Sequence, residues 1–277
     1  MNIGIFAKTF VRPTLDETLD AVVAHGLHDI QFNMACAGLP SMPDVISDGQ
    51  IASIRHSLDS HAMRVAAVSG TFNMIHPDPQ VRQDGLRRLD VLAAVCGQLG
   101  TKLITLCTGT RDADNMWRAH PDNETPQAWR DLLETSEAAL KIAEEYDILL
   151  GIEPEVSNVV DSAIKARTLL NVMQSPRLKI VMDGANLFHT GELPRMSAIL
   201  DEAFQLLGGD LALVHAKDLS HDGDAGHDAA GTGVLDYDRY IRLIRGTGYD
   251  GTMILHGLRE DQVSESIHFL QKKMGAS

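Results

Sequence analysis

The chain has 277 residues, 44% hydrophobic and 22% charged, with a formal net charge of −14 and a pI near 5.2. That length can bury a large core and suits one (β/α)8 barrel, for which about 250 residues is typical. The acidic balance argues against nucleic acid or an anionic membrane as partner, because binding through phosphates needs a basic face. Three cysteines, Cys36, Cys96 and Cys107, include no CxxC pair, so no disulfide framework is expected and the expected compartment is a reducing cytoplasm. Met1 runs straight into a strand-like segment without a basic and apolar leader, so no secretory signal is expected. No apolar run approaches the roughly 18 residues needed to span a bilayer.

In chain order, strand-like runs at 2–6, 28–33, 64–69, 102–108, 147–153, 178–183, 211–216 and 251–256 alternate with helical patterns. The helical patterns fall at 14–26, 46–61, 79–98, 125–146, 160–174, 195–207, 236–246 and 260–273. The strands are continuous apolar runs, as strands covered on both faces are. The helices carry the 3.6-residue period: Val81, Leu86, Leu89, Leu92, Ala93 and Val95 fall against Arg82, Gln83, Arg87, Arg88 and Asp90. An open doubly wound sheet is the alternative. Eight uninterrupted βα units instead predict one closed (β/α)8 TIM barrel, a single domain over residues 1–277. Two long segments, 109–126 and 219–233, follow strand C-termini and are expected to cover the same face.

Four of the strands end in a residue of metal-ligand type: Glu153, Asp183, His215 and His256. In a parallel barrel the C-terminal strand ends converge on one face. Two carboxylates and two imidazoles delivered there predict a divalent metal site. Side chains alternate along a strand, so inward mates can be read off. They are Gly151 and Leu149 below Glu153, Leu213 and Leu211 below His215, Ile254 and Thr252 below His256, and Val181 and Lys179 below Asp183. Lys179 is expected near the barrel bottom. Singly, each ligand has a plainer reading: a turn residue for Asp183 before Gly184, or a structural histidine for His215 and for His256 before Gly257. Glu153 before Pro154 is harder to set aside, since a carboxylate ending a buried apolar strand needs a partner. The joint pattern carries the metal reading. Around the same mouth, Asn73, His76, Trp117, Lys217, His227 and Arg259 are candidate substrate-binding residues. Gly231-Thr232-Gly233 does not follow a strand as a nucleotide loop would, so it is not read as one.

Gly151-Ile152-Glu153-Pro154, Val181-Met182-Asp183, Val214-His215-Ala216-Lys217-Asp218 and the run 231–237 together resemble the xylose-isomerase-like barrel superfamily, and within it the sugar-phosphate isomerase/epimerase group. Asn115-Met116-Trp117-Arg118 and Pro121-Asp122-Asn123 extend the resemblance over nearly the whole chain. It implies that Glu153, Asp183 and His215 are three of four metal ligands. The fourth is usually a glutamate at the end of the eighth strand, where this chain has His256. Asn186, a further substrate-site candidate, stands where many members have histidine.

In the sugar epimerases resembled, two metal-bound glutamates face each other across the substrate and move a proton beside a metal-polarised carbonyl. Here Glu153 lacks the opposing carboxylate, and an ion held by two carboxylates instead of three should be a stronger Lewis acid. The expected cofactor is one divalent ion, manganese first, with zinc, cobalt and magnesium open; two histidines weigh against magnesium. The expected activity is isomerisation or epimerisation of a sugar or sugar phosphate, with Glu153 and His256 as catalytic residues and a small carbohydrate as partner. Dehydration of a polyol or keto-sugar, and a sugar-binding barrel without turnover, are the alternatives. An apurinic-endonuclease-like phosphodiesterase comes last, because its metal cluster wants more histidines and His76 and His227 would have to supply them. The resemblance also leaves room for a homo-oligomer.

Overall fold

Eight short aliphatic segments form the parallel strands β1 (Asn2–Phe6), β2 (Asp29–Phe32), β3 (Arg64–Ser69), β4 (Leu103–Cys107), β5 (Leu149–Glu153), β6 (Leu178–Asp183), β7 (Leu211–Asp218) and β9 (Thr252–Leu255). The computed structural model describes residues 1–275. The strands lie in the order β6-β5-β4-β3-β2-β1-β9-β7, and β6 pairs with β7 to close the barrel. A two-residue strand, β8 (Asp228–Ala229), pairs antiparallel with the end of β7.

Helices α1 (Leu15–Ala24), α2 (Asp48–Ser60), α3 (Pro79–Cys96), α4 (Pro126–Glu145), α5 (Ala163–Met173), α6 (Met196–Leu207), α7 (Tyr237–Gly246) and α8 (Val263–Gly275) follow the barrel strands in turn. Six of them start on a side-chain cap that accepts a backbone N–H of the first turn: Thr14, Ser47, Asp78, Thr125, Ser162 and Asp236. These caps fix where each loop leaves the mouth and the chain turns back. Among the described residues no helix is long and apolar enough to cross a membrane.

The inward parity read from the sequence holds next to the ligands but not at Leu211, which a register shift between β6 and β7 turns to the outer core. Ala67, Leu103, Val181, Leu213 and Ile254 form a small apolar cluster separate from the main strand–helix core. Gly151 leaves room within it, since a Cβ there would stand 2.8 Å from Val181 Cγ2. Lys179 pairs with Asp210, the residue before β7, at 3.4 Å. Asp210 also binds Arg167, so the one charged inward mate is neutralised at the barrel bottom.

Among the boundaries that differ from the sequence pattern, three bear on the site, each for a local reason. β7 runs two residues further, to Asp218, because Lys217 and Asp218 pair with Ala229 and Asp228. β9 stops at Leu255, which puts His256 on the first loop residue. α5 starts at Ala163 and not at 160, because the preceding segment folds back on itself, with Glu155 N–H donating to Val160 O at 3.1 Å. Val160, which read as helix, is buried in that loop with Val159.

Candidate metal centre

Asp183 and His215 are register partners on β6 and β7, so their side chains leave the same face side by side. Glu153 ends β5, the next strand round. One ligand atom from each of the three lies within 4.8 Å of the others. Both Asp183 and His215 are 1% exposed.

The lone-pair geometry suits a cation at their centre. His215 Nε2 meets Gln31 Oε1 at 2.8 Å, and Gln31 Nε2 donates to Thr105 Oγ1 at 3.3 Å. A neutral His215 therefore gives its one N–H to Gln31 and turns the Nδ1 lone pair inward. That atom faces Glu153 Oε1 at 3.2 Å and Asp183 Oδ2 at 3.9 Å. Asp183 Oδ1 accepts Ala185 N–H, but Oδ2 is buried with no hydrogen bond. Three lone-pair atoms facing one another repel unless positive charge stands beside them, which Lys217 supplies here and a metal ion would supply between them. One imidazole and two carboxylates suit a divalent ion and leave coordination positions for substrate.

Lys217, 7% exposed, brings a positive charge to the same spot. Its Nζ lies 3.1 Å from Asp183 Oδ2 and 3.5 Å from Glu153 Oε1. Burial disfavours the ammonium, but Asp183 and Glu153 outweigh it and raise its pKa. Burial alone would likewise raise Glu153; His215 and Lys217 reverse that and hold it below the usual carboxylate range.

His256 stands outside the three-ligand group. Its ring is sandwiched between Phe6, with centroids 4.7 Å apart, and His215, at 4.8 Å. Burial, aided by Lys217 and His215, pushes its pKa well down. Its Nδ1 is buried without a hydrogen-bond partner.

A cavity of about 220 Å³ opens at this end of the barrel, lined among others by Glu153, Lys217, His256 and Trp117. Asn186 is fully buried just beneath it. Its Nδ2 donates to Glu153 Oε1 at 2.7 Å, and its Oδ1 accepts Gly226 N–H at 2.8 Å. It thus ties Glu153 to the 219–233 segment. The other expected contacts lie elsewhere. Asn73 spends its amide on the backbone of Thr110, and His76 bonds Ala113 O and Asp78 N–H beside a neighbouring cavity. His227 packs on His221 and bonds Ser220, and exposed Arg259 pairs with Asp261. None of these four lines the cavity of Glu153.

Two residues of the site carried no conspicuous sequence signal. Gln31 sits inside an otherwise ordinary strand, and its link to His215 spans 184 positions. Glu155, the second glutamate of Glu153-Pro154-Glu155, also lines the cavity. Burial, opposed by Lys217 and reinforced by Glu153 and Asp183, raises the Glu155 pKa to about 7. A Gln31→Met substitution is expected to weaken metal binding about 10- to 100-fold, the usual effect of removing a partner that orients a ligand. Calorimetric titration of the stripped protein with Zn²⁺ measures this, and unchanged affinity would deny Gln31 that role.

The remaining motif residues build the support. Asp218 accepts the backbone N–H groups of Leu219, Gly231 and Leu235, all at 2.9–3.0 Å, which fixes the 231–237 run. Gly233 is required there, because a Cβ would meet Asp218 Oδ1 at 2.4 Å. The Tyr240 hydroxyl bridges Met182 O and His215 O, behind Asp183 and His215.

Fold and site together define a (β/α)8 barrel with a three-ligand metal centre at its C-terminal mouth. The chain belongs to the xylose isomerase-like TIM barrel family, whose model matches residues 19–273. Comparison with curated proteins returns no match. Among solved structures, an Escherichia coli 3-keto-D-glucoside 4-epimerase superposes with a TM-score of 0.75 at 15% identity, covering 98% of this chain and 99% of its own. A D-psicose 3-epimerase from Clostridium cellulolyticum H10, solved with D-tagatose, gives 0.74 at 15%, covering 99% of each. A zinc-bound IOLI protein gives 0.74 at 16%, covering 99% and 96%.

Proposed function

We propose that the chain is a divalent-metal-dependent isomerase or epimerase of a sugar or sugar phosphate. The observation that carries this reading is the three-ligand group sharing Glu153 with a cavity rich in hydroxyl and amide side chains: Ser69, Thr71, Thr105, Gln31 and Asn33. Similar barrels include two sugar epimerases and one protein with bound zinc, which agrees with both halves of the reading. A bound ion would polarise the substrate's carbonyl and stabilise developing negative charge.

Glu153 would take a proton from the carbon beside that carbonyl. Asn186 holds its Oε1, and Lys217 holds the charge of the pair. Return of the proton to the adjacent carbon by Glu153 gives isomerisation. Return by a second group gives inversion, and His256 with its unpartnered Nδ1 is the candidate. Manganese is the first ion to test, before zinc, cobalt and magnesium. The proposal also takes the chain as one domain of a cytoplasmic protein that can form a homo-oligomer, with no nucleic-acid or membrane partner. His256 in place of a carboxylate supports one rival, a barrel that binds sugar without turning it over.

The test is elemental mass spectrometry on the native protein and on the Glu153→Gln, Asp183→Asn double variant, followed by a sugar panel. About one ion per native chain, lost in the variant, with chelator-sensitive turnover, supports the enzyme. Ligand-induced stabilisation without turnover supports the binder. A native protein that takes up no added ion overturns the enzyme reading and leaves the binder.

A further inference from the structure

We propose that the substrate is a glycoside, a sugar carrying an apolar or aromatic aglycone, and that the aglycone lies in a second cavity adjoining the one at the metal centre; this rests on the sugar reading above and narrows its substrate class.

The cavity that holds Glu153 measures about 220 Å³. Sites that enclose a drug-sized ligand run to about 300–1,000 Å³, so this one seats a single small ring. Beside it lies a cavity of about 350 Å³. The loops after β2, β3 and β4 wall both. Ser41 lines the first and Met42 the second; Trp117 lines the first and Met116 the second. Thr71 lines both, and Phe72 next to it lines the second. The cavities are therefore neighbours along a common wall, and a group attached to a sugar in the first has the second next to it.

The second cavity suits an apolar occupant. Most of its polar side chains are already satisfied by the protein. Asn73 bonds the C=O and N–H of Thr110, and His76 bonds Ala113 O and Asp78 N–H. Arg88 pairs with Asp44, and Asp112 holds Arg118 together with the N–H groups of Asp114 and Asn115. What remains is Met42, Phe72, Val81 and Met116, with the carboxylate of Asp114 on an exposed residue. The Phe72 ring lies against Gly85 of α3, where a Cβ would meet its Cδ2 at 2.1 Å. Glycine is unfavourable within a helix, and here it makes room for that ring. Val81, one turn earlier on the same helix, is 40% exposed, and Trp117 is 54% exposed on the neighbouring cavity. Exposed apolar side chains gathered beside a polar site mark a place for an apolar group. Aromatic and thioether side chains suit an aromatic ring in particular. A glycoside has its anomeric carbon closed. The carbonyl beside the metal is then a ketone elsewhere on the sugar, which leaves out aldose–ketose isomerisation for this substrate.

The test uses metal-loaded full-length protein with methyl and phenyl D-glucosides, D-galactosides and D-xylosides of both anomers, and with the three free sugars. Methyl and phenyl partners are both uncharged, so the ion and the charged groups around it act on them alike, and their difference reads the second cavity. Binding is followed by calorimetry and thermal shift. The expected result is a phenyl glycoside that binds at least about tenfold more tightly than its methyl partner, a gap of about 1.4 kcal/mol. Val81 lines the second cavity and not the first. Val81→Trp, which fills that cavity, and Val81→Asp, which makes it polar, should each remove the phenyl preference and leave metal content and methyl-glycoside affinity unchanged. Equal affinity for phenyl and methyl partners, a preference that survives both variants, or free sugars that bind where no glycoside does each overturn the inference and leave the sugar reading standing. If no probe binds, free or glycosidic, the sugar reading fails and the inference falls with it.

Discussion

Asp183→Asn is expected to strip the ion from the chain and abolish metal-dependent turnover. The substitution is nearly isosteric, and its oxygen can still accept the Ala185 N–H that Oδ1 accepts now. The change falls on Oδ2, the buried atom without a hydrogen bond. An amide NH2 there points two N–H bonds at the position His215 Nδ1 and Glu153 surround, where a cation belongs. Metal affinity should fall by more than about 100-fold, beyond the loss that follows removal of an outer partner. The same NH2 group faces Lys217 Nζ, which stood 3.1 Å from the carboxylate. Breaking that buried pair should lower the stability of the metal-free protein by about 3 kcal/mol. Wild type should gain about 2.7 kcal/mol from an ion at 100 times its dissociation constant, and the variant nothing. Melts with and without Zn²⁺, together with elemental mass spectrometry, measure both effects. Full metal content in the variant would remove Asp183 from the ligand set.

Much of this centre was legible in the sequence because barrel geometry turns strand position into spatial position. Once Asp183 and His215 each close a buried apolar run, parallel register places them side by side, and parity sends Val181 and Leu213 into the interior below them. What the sequence could not supply is direction beyond the strand. His256 follows its strand as expected, but its ring turns to stack between Phe6 and His215 and stays out of the ligand group. Ring stacking depends on neighbours from other strands, which no local pattern encodes. Asn73 shows the same limit: as a polar loop residue after β3 it read as a ligand contact, yet its amide substitutes for a strand partner of Thr110. Glu155 was hidden by the apolar residues after it, which imitate a helix start and are a buried turn.

Lys217→Met is expected to move metal binding the other way. The lysine ammonium and a divalent ion compete for the same two carboxylates, Glu153 and Asp183. Methionine keeps the length and apolar stem of the side chain and removes the charge. The metal-free protein is then left with two buried carboxylates and no fixed counter-charge, and its stability should fall by about 3–5 kcal/mol. An ion entering that site no longer meets a like charge, so its affinity should rise at least about tenfold, or about 1.4 kcal/mol. The rise in melting temperature on adding metal should therefore exceed that of wild type. Turnover should fall despite the tighter ion, because Lys217 holds the charge of Glu153 and lines the cavity where substrate lies. The two directions separate this role from a purely structural one. A lysine that only props the fold would lower stability and metal affinity together; tighter metal with slower turnover is the signature of an ammonium that shares its carboxylates with the ion and also serves the reaction.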